Sequence, residues 1–118
     1  MKILANDFII ASKCKTLYLK LNKVSLNIAK NDSFLKNIIN NSCNELLKYV
    51  YLENYDNDNL NNYFINIKTN ISLIDFYLEL LYKRKYIGDK DLENLSYLLL
   101  EINKMVTVWH RNKGNNAK

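Results

Sequence analysis

Few side chains in this sequence can do acid–base, nucleophilic or metal chemistry, and their spacing suits none of the three. His110 is the sole histidine, and Cys14 and Cys43 are the only cysteines. The two thiols form no C-x-x-C pair, so a structural zinc site lacks ligands at a workable separation. A di-metal carboxylate bundle needs Glu-x-x-His on two helices, and no glutamate stands three residues before His110. Asp75 and Glu79 lie four residues apart and Glu101 follows much later. A nucleophile needs a base beside it. His110 falls near the expected frayed end of the last helix, where an exposed or capping role suffices for it. The pattern predicts no enzyme, no metal and no cofactor.

Positive charge is the remaining functional signal. Seventeen Lys and Arg stand against twelve Asp and Glu, a net charge of +5. A basic domain favours polyanionic partners, either nucleic acid or an anionic membrane face. The excess is localised. Residues 1–30 hold Lys2, Lys13, Lys15, Lys20, Lys23 and Lys30 against Asp7 alone, and the rest of the chain sums to zero. A further cluster, Lys83-Arg84-Lys85, suits the negative end of a helix dipole or a second anion contact. Two lone thiols in a lysine-rich chain fit a reducing compartment. The apolar start Met1–Ala5 is broken by Asn6 and Asp7, and no stretch approaches a membrane span. The expectation is a cytoplasmic protein with no membrane partner.

These residues need elements to position them. The 118-residue length suits one domain, 1–118. Proline is absent, and glycine occurs only at Gly88 and Gly114. Sandwiches and barrels need turn residues at short intervals, and phosphate loops need glycine clusters. A chain with no internal breaker runs as long helices. The twenty asparagines read as compositional bias rather than twenty functional residues.

Apolar periodicity predicts four helices, at roughly 6–28, 33–53, 58–86 and 90–111. The first buries Ile10, Cys14, Leu17, Leu21, Val24 and Ile28. Asn31-Asp32-Ser33 supplies a turn and an N-cap. The second buries Leu35, Ile38, Ile39, Ser42, Leu46, Tyr49 and Val50, and the polar segment 54–59 is the next connection. The third buries a stripe from Leu60 through Ile67, Ile74 and Leu81 to Tyr82. Gly88 is the expected left-handed residue at its end, with Asp89 as the following N-cap. The fourth buries Leu92, Leu95, Leu98, Leu99, Ile102, Met105, Val106 and Trp109, and Gly114 closes it. Four such helices with short links imply an all-α, antiparallel up-down-up-down four-helix bundle.

Some helices carry more apolar surface than one core needs. Leu4, Phe8, Leu19 and Leu26 lie opposite the buried stripe of the first helix. Ile65, Leu73, Phe76 and Leu80 repeat the pattern on the third, and Tyr97, Leu100 and Val108 on the fourth. Apolar stripes on several helices mark an interface. Phe8, Leu19, Leu26, Leu73, Phe76 and Leu80 are the expected oligomer contacts. Lys13, Lys20, Lys23 and Lys30 occupy the remaining arc of the first helix and are the expected contacts to a polyanion.

From Ile71 to Lys113 the chain reads ISLIDFYLELLYKRKYIGDKDLENLSYLLLEINKMVTVWHRNK. This resembles the small four-helix-bundle family of accessory variability determinant (Avd) proteins of diversity-generating retroelements. A sister branch is encoded in ribosomal-RNA intervening sequences. The resemblance lies in the aromatic, leucine-rich third helix, the YIGDKDLENLSYLLLEI turn and the terminal EINKMVTVW followed by basic residues. The first half matches only in length and pattern. The resemblance implies a non-catalytic, cytoplasmic homopentamer that binds a reverse transcriptase and RNA, either template RNA or an RNA/DNA hybrid, and supports mutagenic cDNA synthesis. It adds Lys104, Arg111 and Lys113 to the expected nucleic-acid contacts. The chain departs from the family at Asn103 and Thr107, where small residues are usual, and at Asp75 and Glu79, where arginines are. The alternative is an intervening-sequence-type protein, or another helical interaction module, with no retroelement role.

Overall fold

The computed structural model describes residues 8–116. Lys2 and Leu4, and the first residues of the expected first helix, lie outside them. Four helices form: α1 (Ile9–Ser25), α2 (Ser33–Tyr55), α3 (Leu60–Lys83) and α4 (Asp89–Asn116), with a 3-10 turn at Lys30–Asp32 before α2. Each packs against its neighbour in sequence, and α1 also packs on α4. The chain is an all-α, up-down four-helix bundle, as its periodicity predicts.

The core is aliphatic. Leu17, Leu21, Leu35, Ile39, Leu46, Ile67, Ile74, Leu78, Leu81 and Ile102 are all but inaccessible to water. Burying one such side chain is worth about 1.5–3 kcal/mol, so this stripe sets which face of each helix turns inward. Tyr82 departs from the expected stripe. It is exposed, and its hydroxyl donates to Asp89 at the start of α4.

The helix ends differ from expectation in instructive ways. α1 stops at Ser25, where the amides of Leu26, Asn27 and Ile28 turn to carbonyls three residues back. Asp32 precedes α2, yet its side chain makes no capping bond. Its carboxylate instead accepts Arg84 Nη1 at 2.8 Å and the Tyr86 hydroxyl at 2.5 Å. That contact ties the first interhelix turn to the third.

Gly88 is not the left-handed residue that ends α3. Lys85 is, with φ 63°, and no glycine has positive φ. The Tyr86 amide reaches the Leu81 carbonyl at 2.9 Å and the Lys85 amide reaches Tyr82 at 3.0 Å. These two bonds make a Schellman motif built on lysine. Gly88 serves α4 instead, its carbonyl accepting the Leu92 amide at 3.0 Å. Nor does Gly114 close α4, which continues through it to Asn116.

Candidate nucleic-acid and assembly surfaces

The cations expected to meet a polyanion fall into two groups. Lys20, Lys23, Lys30, Lys104 and Arg111 are exposed. None has a carboxylate within 4.0 Å among the described residues. Lys20 and Lys23 share a cleft of about 440 Å3 with Leu26 and Asn27, just past the end of α1, and with Asp91 and Asn94 of α4. Lys104 lies further along the same α1–α4 seam, on the rim of an apolar groove of about 620 Å3 that includes Ile9, Val108 and Trp109. Arg111 follows on α4 and borders a cleft with Asn61 and Asn62 at the start of α3.

Lys13 and Lys113 are otherwise engaged. Lys13 Nζ pairs with Glu101 at 3.0 Å. Lys113 is half-buried, and its ammonium donates to the backbone carbonyls of Glu53 and Asn54. It thereby satisfies acceptors that α2 leaves free at its C-terminal end. Burial lowers its pKa, against the opposing pull of the Glu53 charge.

The expected interface residues also divide. Leu19, Leu26, Leu73 and Phe76 are exposed, Leu26 by 73%. Phe8 and Leu80 are half-buried against the core, and Phe8 packs on Trp109 with ring centroids 5.3 Å apart. Ile65, Tyr97, Leu100 and Val108 extend the exposed apolar surface on α3 and α4.

Two polar features emerge that the sequence pattern did not single out. The first is Glu53, at 0% exposure the most deeply buried charged side chain described. Its Oε2 lies 3.0 Å from His110 Nδ1, and its Oε1 has no partner. Burial pushes its pKa up, while the hydrogen bond and charge of His110 and the charge of Lys113 draw it down. His110 is not at a frayed end. Its ring stacks on Phe64 at 3.9 Å, and Nε2 meets Asn61 Oδ1 at 3.2 Å. A carboxylate and an amide oxygen are both acceptors, so this orientation requires a ring that donates from both nitrogens. Turning the Asn61 amide over makes the neutral Nδ1–H tautomer fit equally. The cluster fastens α4 to the end of α2 and the start of α3.

The second feature is Lys68 on α3. Its ammonium donates to Asn103 Oδ1 and Thr107 Oγ1 of α4, both at 2.6 Å, and lies 5.5 Å from the centre of the Phe64 ring. Asn103 and Thr107, the two departures noted in the fourth helix, thus hold a cation across the α3–α4 seam. Burial lowers the Lys68 pKa.

No helix among the described residues is long and apolar enough to cross a membrane. The chain matches no protein-family model, and no curated protein matches it in sequence.

Proposed function

We propose that this protein is a non-catalytic, oligomeric accessory factor that binds RNA and a reverse transcriptase, in the manner of the Avd proteins that its second half resembles. The observation that carries the reading is the set of exposed cations on α1 and α4, namely Lys20, Lys23, Lys104 and Arg111, none with a carboxylate within 4.0 Å among the described residues. Phosphate contacts of this kind are sequence-independent and salt-sensitive, because each neutralised phosphate releases counterions. Lys13 and Lys113 contribute less, since Glu101 and the α2 carbonyls already hold their ammonium groups. The exposed apolar stripes support assembly with copies of the same chain, for which the resemblance implies a pentamer.

The test is the salt dependence of RNA affinity. Replacing Lys20, Lys23 and Lys104 together by glutamine should reduce the slope of log K against log salt by about 2 on single-stranded RNA, at about 0.7 per phosphate contact. The measurement is fluorescence anisotropy between 50 and 200 mM salt, a range in which such contacts change affinity strongly. An unchanged slope would remove these residues from any RNA interface. Co-purification with a reverse transcriptase tests the protein partner separately.

A further inference from the structure

Lys68 is a cation held by neutral groups alone. Two of its three N–H donors go to Asn103 and Thr107, and Phe64 lies beneath it. Among the described residues no carboxylate lies within 4.0 Å of it. On the same flank of α3 the next acid is Asp75, two turns on, which is about 10 Å along the axis. The side chain is therefore partly desolvated with no counter-charge, an arrangement that favours an incoming anion at the third donor.

The surroundings select the kind of anion. Lys68 borders an open cleft of about 460 Å3 with Ile65 and Leu73 on its walls. Ile65 is 63% exposed, and Phe76, one turn beyond Leu73, is 50% exposed. Besides Ile65 and Leu73 the cleft is lined by Thr69, whose hydroxyl donates to the Ile65 carbonyl, by Ser72, and by the Phe64 ring, which His110 and Lys68 already engage; nucleobases find no free aromatic face there. A carboxylate carried on an apolar helix face fits better than a nucleic-acid backbone.

The chain presents such a face on α4. Glu93, Tyr97 and Leu100 step by four and three residues, which places them on one side of the helix. All three are exposed, Tyr97 by 72%, and Glu93 has no cation within 4.0 Å among the described residues. We infer that the Lys68 cleft seats the Glu93–Leu100 stripe of a second copy of this chain. Glu93 pairs with Lys68, and Tyr97 and Leu100, one and two turns on, cover Leu73 and Phe76, which lie about 7.5 and 12 Å along α3 from Lys68. The two patches differ, so each copy gives one and receives the other. The assembly is a two-fold dimer where both contacts form between the same two chains, and a ring or an open filament where they join successive chains. The inference rests on the assembly part of the proposed function and assigns it an interface.

Charge reversal tests it. Lys68→Glu and Glu93→Lys should each reduce the mass of the assembled protein, measured by light scattering after size exclusion, to that of one chain. Combined in one chain, the two reversals should restore the assembly. Lys68→Met removes the charge while keeping an apolar stem, and it carries the test should Lys68→Glu lose its helical circular dichroism. An assembled wild type whose mass is unmoved by Lys68→Met and Glu93→Lys would overturn this interface and leave the assembly reading standing. Failure of the double reversal to restore the mass would also overturn it. A monomeric wild type at micromolar concentration would overturn both.

Discussion

Replacing His110 by alanine should be among the most destabilising single changes in this chain, and its cost should depend on pH. The imidazole supplies the donor to Oε2 of a glutamate with no exposed surface, whose other oxygen is already unpartnered. Removing one member of a buried charged pair costs about 3–5 kcal/mol, and the lost stack on Phe64 adds about 1 kcal/mol. A total of about 4–6 kcal/mol lowers Tm by about 12–27 °C in a domain of this size. The sign with pH follows from burial, which raises the Glu53 pKa above its ordinary 4.5. A raised carboxyl pKa means the fold favours the protonated form. That contribution is fully present below 4.5 and is lost as pH rises through the folded value. Without His110 the folded value rises further. The alanine variant should therefore lose about 2–4 kcal/mol below pH 4.5, from the stack and the unpaired buried oxygen, and progressively more toward neutrality. Glu53→Gln keeps an acceptor and discards the charge, so its loss should be near 1 kcal/mol and free of the Glu53 titration. Thermal unfolding followed by circular dichroism at acid, intermediate and neutral pH separates the two variants. A His110→Ala loss under about 1 kcal/mol at neutral pH, or one that does not vary with pH, would refute the buried-pair reasoning.

Two further outcomes are expected. Cys14 and Cys43 are buried, and burial pushes both thiols up to about 12. At pH 8 their reaction with Ellman's reagent should be slower than that of an ordinary thiol by more than about a thousandfold, becoming ordinary in guanidinium. Rapid modification of the native protein would contradict the packing of α1 on α2. Lys85→Gly relieves the left-handed backbone at φ 63° and should stabilise by about 1 kcal/mol. Lys85→Val should do the opposite, and the two melting curves should bracket that of the wild type.

Most of the fold was legible because apolar spacing is a local signal. Three- and four-residue steps define a buried stripe on every helix without knowledge of its neighbours. The helix ends were less legible because contacts distant in sequence set them. At the end of α3, Ile87 is buried and Tyr86 is tied to Asp32, so the chain must turn at Lys85, three residues before the glycine that local preference would choose. Glu53 carried a usable sign, since it continues the four- and three-residue steps from Leu46 through Val50. Its charge argued against burial, and the groups that make burial tolerable, His110 and Lys113, lie 57 and 60 residues away. Lys68 was hidden for the same reason, because its partners belong to α4. Of the polyanion contacts, the sequence located the excess charge but not which ammonium groups are already occupied.

The packing of α1 on α4 has a consequence for connectivity. Each helix packs its backbone closely against two others, the last against the first, so the four form a cycle, crossed where His110 and Lys113 of α4 reach the end of α2. Chain order is then one of several ways of cutting that cycle, and the present cut falls where Phe8 meets Trp109. A covalent joint across that cut, with a new opening among the exposed residues Asn57–Asn59, would change the order of the helices while keeping every neighbour. The identity of the fold resides in which helices are adjacent, and the direction in which the sequence visits them is incidental to it.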